Sequence, residues 1–202
     1  MFHPDLDDSL YNSATRYEPT EPDTMDTQPT LATERLLLRP FQITDAARVQ
    51  LLAGNPNVAT MTSNIPHPYA DGEAENWIAA HADDWQRGSA AIYAVCLRSS
   101  TELIGAVGLM NIHDGDAELG YWVGEPYWGQ GFASEAVDAL LGFALTSIEL
   151  SRIHAHHFAR NPASGKVLKN AGLRRIGRHM PGTENNPTTE EVVLYEYLVA
   201  GD

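Results

Sequence analysis

The sequence predicts a mixed α/β fold in which helices cover both faces of one sheet. Two observations support this prediction. Apolar residues recur at spacings of three and four through residues 71–87 and 132–147, which is typical of helices that pack on a core. Shorter segments bounded by turn-forming residues lie before, between and after these two, which is typical of strands. With 202 residues and 43% hydrophobic content, the chain is long enough to bury one such core.

The first part of the chain is predicted to contain one strand and two helices. A strand at 35–39 precedes a helix at 44–53, which Thr44 opens as a capping residue. A proline-containing loop at 54–69 follows, and a second helix at 71–87 comes after it. The apolar face of that second helix is formed by Ala74, Trp77, Ile78, His81 and Trp85.

The middle of the chain is predicted to form three consecutive strands, at 90–98, 103–111 and 117–123. Turn-forming residues separate them, Ser99-Ser100 at the first break and Asp114-Gly115-Asp116 at the second. Two hairpins are therefore expected here.

The last part alternates between the two kinds of element. A helix at 132–147 leads into a strand at 152–158, and a helix at 162–170 stops before Gly172. Two final strands are predicted at 173–180 and 191–199.

Residues 1–30 do not follow either periodicity. They contain seven acidic residues and one basic residue, so we predict an acidic tail before a single domain at 31–199. No secretion signal is recognisable at residues 1–8, and no run of apolar residues is long enough to cross a membrane. The single cysteine, Cys96, has no partner for an intrachain disulfide. These features predict a cytoplasmic protein that does not bind membranes.

The charge of the chain is uneven. The formal net charge of -14 disfavours direct binding to DNA or RNA. However, seven of the thirteen basic residues lie between positions 152 and 178, a stretch without any acidic residue. This basic segment comprises Arg152, Arg160, Lys166, Lys169, Arg174, Arg175 and Arg178. It is either a solvated face or a phosphate site, and charge alone favours neither interpretation.

The most informative stretch is a glycine-rich turn that opens the helix at 132–147. It reads Tyr-Trp-Gly-Gln-Gly-Phe-Ala-Ser-Glu from Tyr127 to Glu135. Glycines let a phosphate approach the backbone, and the free N–H groups of a first helical turn favour an anion. Glycines can also serve a tight turn alone. The stretch lacks the third glycine of a dinucleotide-binding motif.

These residues resemble the GNAT superfamily of N-acetyltransferases, whose diagnostic turn reads Gln/Arg-x-x-Gly-x-Gly/Ala. Gly131-Phe132-Ala133 matches the second half, whereas Trp128 stands where that superfamily has Gln or Arg. The whole turn is similar to the RimJ/RimL branch, which acetylates the N-termini of ribosomal proteins. Further stretches that agree with this branch lie, in order, at 33–39, 117–123, 161–164 and 169–173.

The resemblance implies a fold and a cosubstrate. The sheet would be mixed, mostly antiparallel, and splayed between the strands at 117–123 and 152–158. Acetyl-CoA would lie in that opening, with its pyrophosphate at the glycine turn and its pantetheine arm along the first strand. From its charge, we expect the basic segment to hold the 3'-phosphate through Lys166, Lys169 or nearby arginines. The candidate coenzyme-binding residues are Tyr121, Trp122, Val123, Gln130, Gly131, Phe132, Ala133, Ser134, Asn161, Lys166 and Lys169.

Glu118 and Ser164 are the candidate catalytic residues. Glu118 is a lone carboxylate in an apolar strand, where partial burial would raise its pKa toward the range of a general base. Alternatively, it is an acid at a strand end, in water or paired with an arginine. Asn161 and Ser164 by themselves make an ordinary helix start. The resemblance implies that Glu118 is the base, that Asn161 binds the pantetheine arm, and that Ser164 protonates the departing thiolate.

A metal site is not predicted. His154 and His156 would share one face of a strand, but the sequence offers them no nearby cysteine or carboxylate, so the ligand set is incomplete.

The acceptor is predicted to be an amine. An α-amine with a pKa near 8 is about a tenth neutral at pH 7, whereas lysine is neutral far less often, so one weak base suits a protein N-terminus best. The acidic chain would attract a cationic peptide or protein. A polyamine or aminoglycoside acceptor remains an alternative, as does a non-catalytic acyl-CoA sensor with Glu118 in a salt bridge. The oligomeric state is left open, a homodimer included.

Overall fold

A computed structural model of the chain describes residues 27–179, 182–183, 186–187 and 190–199. Most of the predicted tail, residues 1–26, lies outside this part, as does Met180 at the end of a predicted strand. The strands are β1 (Leu31–Ala32), β2 (Leu36–Arg39), β3 (Ala91–Leu97), β4 (Leu103–His113), β5 (Asp116–Val123), β6 (Arg152–Phe158), β7 (Arg174–His179), β8 (Gly182–Thr183), β9 (Asn186–Pro187) and β10 (Val192–Leu198). The helices are α1 (Ala46–Ala53), α2 (Pro56–Ala59), α3 (Glu73–Gln86), α4 (Phe132–Ser147) and α5 (Pro162–Asn170), with 3-10 turns at Ile43–Asp45 and Glu125–Tyr127.

Eight strands form one sheet in the order β1-β2-β3-β4-β5-β6-β10-β7, while β8 pairs only with β9. Every neighbouring pair in the large sheet is antiparallel except β5 and β6, which are parallel. The predicted mixed, mostly antiparallel sheet is therefore confirmed.

The sheet opens between β5 and β6. These strands pair only at Asp116–Arg152, Ala117–Ile153 and Glu118–His154, although β5 continues to Val123 and β6 to Phe158. Beyond Glu118 the two strands diverge, and their facing backbone edges no longer satisfy each other. The predicted splay lies where the sequence resemblance implied.

Helices cover both faces of the sheet, as predicted. In β3, Tyr93 and Val95 face the cluster that holds α4 and α5, whereas Ala94 and Cys96 face the cluster that holds α1 and α3. The strand period of two produces this division, because successive side chains point to opposite faces. Both clusters are fully buried at these positions, which is the main source of stability for the fold. Within the described ranges, no helix combines the length and apolarity needed to span a membrane.

Several predicted boundaries differ from the structure, most of them by one or two residues. The helix expected at 44–53 begins at Ala46 after the 3-10 turn at Ile43–Asp45, so Thr44 lies inside that turn and does not cap the helix. Asp45 accepts hydrogen bonds from Gln42 N at 2.8 Å and from the Arg39 guanidinium. The loop at 54–69 contains the short helix α2, which Asn55 caps by accepting a bond from Asn57 N. Residue 116, expected in a turn, is the first residue of β5.

Candidate active site

A cavity of about 760 Å³ occupies the opening between β5 and β6. Its wall is formed by β5, the starts of α4 and α5, the loop after α2, and part of α3. Every predicted site residue except Gln130 and Lys169 contributes to this wall. Gln130 instead donates its side-chain amide to Pro126 O at 3.2 Å, and Lys169 lies in the last turn of α5.

The glycine turn ends at the N-terminus of α4. Gly131 occupies the N-cap position with a φ of 82°, in the left-handed region that glycine adopts without strain. A Cβ built there would lie 3.5 Å from the Arg35 guanidinium, which is ordinary contact, so the backbone conformation and not crowding explains the glycine. The next residues, Phe132 to Ser134, line the cavity at the first helical turn, where free N–H groups favour an anion.

Thr33 and Arg35, which precede β2, hold this turn in place through Glu135. Glu135 in α4 accepts hydrogen bonds from Thr33 Oγ1 at 2.6 Å, from Arg35 N at 2.9 Å and from Arg35 Nε at 2.6 Å. The Arg35 side chain also donates to Gln130 O at 3.0 Å and lies 4.7 Å from the centre of the Phe132 ring. The stretch at 33–39 and the glycine turn at 127–135, which are recognised separately in the sequence, are therefore in contact. Their spacing in the sequence does not predict this contact.

The backbone of β5 faces the opening at alternate residues. Gly124 N donates to Ile104 O of β4, so the alternation of an antiparallel ladder directs the N–H and C=O groups of Tyr121 and Val123 toward the opening. Trp122 lines the cavity with its side chain instead. Trp128, which replaces the Gln or Arg of the superfamily turn, donates its indole N–H to Val123 O at 2.6 Å. That carbonyl is therefore already bonded within the chain.

The start of α5 meets β5 across the opening. Asn161 caps the helix by accepting a bond from Ser164 N at 3.2 Å. The Tyr121 hydroxyl donates to Ser164 O at 3.0 Å and lies 2.7 Å from Ser164 Oγ. Burial raises the pKa of Tyr121 well above its usual value, so its hydroxyl stays protonated. The sequence identified Tyr121 only as backbone, and its hydroxyl contact with Ser164 was missed.

Glu118 lies on the opposite face of β5 from Tyr121, on the side of α1 and α3. Its Oε1 is 3.4 Å from His156 Nδ1, and its Oε2 accepts a bond from Asn111 Nδ2 at 3.1 Å. The contact with His156 lowers the pKa of Glu118 and, together with the Asn111 bond, outweighs burial, which acts in the opposite direction. The predicted rise in pKa is wrong, because neighbouring strands supply donors to the carboxylate.

His156 has a second contact, since its Nε2 is 2.8 Å from Ser63 Oγ. His154, two residues earlier, makes a similar pair through its Nδ1, 3.0 Å from Asp116 Oδ1. The premise that these histidines lack a nearby carboxylate is therefore wrong. Even so, no group of three or more His, Cys, Asp or Glu side chains in the described residues is arranged to hold a metal ion.

The basic segment is largely neutralised by acids outside it. Arg152 pairs with Asp116 and Glu196, and Arg174 also pairs with Glu196. The other two ion pairs join Arg160 to Glu190 and Arg178 to Glu191. The absence of acids within the segment therefore does not leave these four arginines unpaired, and the choice between a solvated face and a phosphate site rests on the remaining basic residues. Lys166 is the residue that remains both on the cavity wall and outside these ion pairs.

Comparison with known proteins identifies the family. A model of the acetyltransferase (GNAT) domain matches residues 35–174. The uncharacterized N-acetyltransferase p20 of Bacillus licheniformis is 35% identical over 151 residues, which cover 73% of this chain and 84% of p20. The ribosomal-protein-serine acetyltransferase of Escherichia coli K12 is 31% identical over 116 residues, which cover 56% of this chain and 64% of that enzyme.

The fold agrees with this match. The chain superposes on RimL, the ribosomal L7/L12 alpha-N-protein acetyltransferase solved in complex with coenzyme A, with a TM-score of 0.75 at 19% identity. The superposition covers 86% of this chain and 100% of RimL. With a family model spanning most of the sheet and the turn before α4, the chain belongs to the GNAT acetyltransferase family and is an acetyl-CoA-dependent N-acetyltransferase.

Proposed function

We propose that this enzyme acetylates the N-terminal α-amine of a protein or peptide. The observation that carries the proposal is that Glu118 lines the cavity at the last residue of β5 that pairs with β6, where these two strands diverge. A proton acceptor at this point can serve an amine that approaches from the side of α1 and α3. The opposite side, with α4 and α5, is left for the coenzyme.

The residues on the coenzyme side fit coenzyme A. Acetyl-CoA supplies the acetyl group as a thioester. The N–H groups at the start of α4, from Gly131 to Ser134, would hold the pyrophosphate, and Lys166 would hold the 3'-phosphate. The side-chain amide of Asn161 and the opening-facing backbone of Tyr121 would hold the pantetheine arm. Gln130 and Lys169 lie outside the wall, and we assign them no contact.

The proton work is divided between two pairs of residues on opposite faces of β5. The pair Glu118 and His156 would take a proton from the acceptor amine. The pair Tyr121 and Ser164 would give a proton to the coenzyme sulfur as the thiolate leaves. Because the opening in the sheet joins the two faces, both pairs can act on one reacting centre held within it.

A cationic acceptor suits the other half of the cavity. Its wall combines the carboxylates of Glu118 and Glu73 with the aromatic side chains of Tyr69 and Trp77. Such a surface attracts a protonated amine and also packs against apolar groups. The net charge of -14 favours the approach of a basic protein. Two of the relatives named above act on ribosomal proteins, which supports a protein acceptor over a small amine.

The sensor alternative requires Glu118 to be held in a fixed salt bridge. Its partner here is a histidine, whose charge is reversible, and not an arginine. The small-amine alternative places a polyamine or aminoglycoside in the same cavity. The acceptor that the enzyme acetylates therefore decides between this alternative and a protein N-terminal acetyltransferase.

The test is a thiol-release assay with acetyl-CoA and a panel of acceptors. We expect turnover with basic peptides that have a free N-terminus and none with the same peptides blocked at the N-terminus, with mass spectrometry locating the acetyl group on the α-amine. The matched peptides retain their lysines, so lysine acetylation would persist in the blocked set. Saturating turnover of a polyamine or aminoglycoside without peptide activity would contradict the proposal.

A further inference from the structure

Ser63, His156 and Glu118 form a chain of contacts on the acceptor side of the cavity. We propose that the imidazole of His156, and not the carboxylate of Glu118, takes the proton from the acceptor amine. Glu118 is then a positioning residue, and Ser63 occupies the place of the acceptor nitrogen in the free enzyme. This inference rests on the proposed acetylation of an amine, and it changes which atom acts as the base.

The contacts determine which nitrogen of His156 is available. Nδ1 faces Glu118 Oε1 at 3.4 Å, and the carboxylate favours the tautomer that carries its hydrogen on this nitrogen. Nε2 then has a free lone pair, which accepts the Ser63 hydroxyl at 2.8 Å. Ser63 is exposed in the loop between α2 and α3. An amine N–H entering the cavity can therefore replace the serine hydroxyl without disturbing a core contact.

Glu118 is less suited to accept the proton itself. Both of its oxygens are engaged, one with His156 and the other with Asn111. Those donors lower its pKa, which makes the carboxylate a weaker base at neutral pH. Imidazoles as a class match the neutral range better than carboxylates do. A carboxylate that orients an imidazole and stabilises the imidazolium is a recurring arrangement in acyl transfer.

The bond between the acceptor nitrogen and the acetyl carbon forms, and the bond between that carbon and the coenzyme sulfur breaks. The nitrogen loses one proton to Nε2 of His156, producing an imidazolium beside the Glu118 carboxylate. The sulfur gains one proton from the Ser164 side. The imidazolium then releases its proton to solvent, and the Ser164–Tyr121 pair takes one proton back from solvent, which restores the free enzyme.

The pair of His154 and Asp116 provides an internal control for the pair of His156 and Glu118. His154 lies on the same strand and face, and its Nδ1 is 3.0 Å from Asp116, but neither residue lines the cavity. This sheet thus contains a second histidine–carboxylate pair away from the cavity, and access to the cavity distinguishes His156. The charged and titratable groups near His156 are Glu118 and Asp116 from β5, His154 and His157 on its own strand, and Glu196 on β10, which pairs opposite His154; Arg160, paired with Glu190, and Glu73 lie on the cavity wall.

The first experiment compares the pH profile of kcat/KM in wild type and in the variants His156→Gln, Glu118→Gln and His154→Gln. His156→Gln should lower kcat/KM near pH 7 by about a hundred- to ten-thousandfold and abolish the acidic limb that the base contributes. Glu118→Gln should have a smaller effect and retain that limb, because the imidazole that accepts the proton is still present. His154→Gln should resemble wild type.

The second experiment follows the imidazole directly by heteronuclear NMR, without acceptor or coenzyme. In wild type we expect hydrogen on Nδ1 of neutral His156, and in Glu118→Gln we expect this preference for Nδ1 to be lost. Retention of the acidic limb in His156→Gln, together with its loss in Glu118→Gln, would overturn the inference and make the carboxylate the base. If wild type acetylates no peptide, the proposed function fails instead, and the pH profiles are recorded with whichever amine the panel identifies.

Discussion

Arg35 and Glu135 are one hundred positions apart in sequence, yet Arg35 Nε donates to Glu135 Oε2 at 2.6 Å. This bond connects the residue before β2 to the first turn of α4. Thr33 adds a hydrogen bond to the same carboxylate at 2.6 Å. The glycine turn that faces the cavity is therefore braced from the edge of the sheet. The position of the N–H groups at the start of α4, which we propose to bind the coenzyme pyrophosphate, depends on these contacts.

Replacing Glu135 with Gln should destabilise the fold at neutral pH by about 1 to 2 kcal/mol, since charge-assisted hydrogen bonds are lost at a partly exposed site. Burial would raise the pKa of Glu135, but the bonds from Thr33 and Arg35 outweigh it and lower that pKa. A lowered folded-state pKa means that the stabilisation is present at neutral pH and is lost as the pH falls below about 4, through the folded pKa.

Urea unfolding of wild type and Glu135→Gln at pH 7 and at successively lower pH measures this difference. The two free energies of unfolding should converge under acid conditions. A constant difference across the whole range would show that the brace acts through shape and not through charge.

Gly131 should tolerate a side chain poorly because of its backbone conformation. Gly131→Ala places a Cβ at a φ of 82° and should cost about 1 kcal/mol of stability. It should also weaken coenzyme A binding about tenfold or more, since the first N–H groups of α4 shift with the turn.

Gly142→Ala is the matched control on the same helix. Gly142 has no positive φ, and a Cβ there meets nothing within 4 Å, so alanine should stabilise α4 by about 0.5 to 1 kcal/mol without affecting coenzyme affinity. Thermal unfolding and calorimetric titration with coenzyme A measure both effects. Equal coenzyme affinity in the two variants would remove the glycine turn from the binding site.

The sequence predicted α4, β6 and α5 with the bounds that the structure has, because their periodicity and their glycine, asparagine and proline signals agree with one another. It did not predict the environment of Glu118. The contacts from His156 and Asn111 depend on the pairing of β4, β5 and β6. The order of strands in a sheet cannot be predicted from the spacing of residues within each strand. For the same reason, the ion pairs between the basic segment and acids outside it could not be predicted from the sequence.

Lys166 and Lys169 provide a test of the 3'-phosphate site. Lys166 lines the cavity, whereas Lys169 on the same helix does not. Lys166→Ala should weaken coenzyme A binding about ten- to hundredfold, the usual worth of a charge-assisted contact, and should leave dephospho-coenzyme A almost unaffected. Lys169→Ala should change neither affinity. An equal loss with both coenzymes would mean that Lys166 belongs to a solvated face.

Ser164 and Tyr121 should act as one unit on the leaving group. The Tyr121 hydroxyl is 2.7 Å from Ser164 Oγ, and its raised pKa keeps it protonated, so it can replace a proton that Ser164 delivers to sulfur. A thiol with a pKa near 8.5 is a tolerable leaving group without help, so Ser164→Ala should slow turnover only about tenfold. Tyr121→Phe should cost a similar factor. Because both changes remove the same proton relay, the double variant should lose little more than either single one.

Neither loss should recover at alkaline pH, where a defect in the base would be relieved by deprotonation of the amine. Steady-state turnover of the three variants across pH 6 to 10, with coenzyme affinity measured in parallel, separates these effects. Multiplication of the two single losses in the double variant would show that the residues act independently. Recovery of Ser164→Ala at high pH would move the serine to the acceptor side of the reaction.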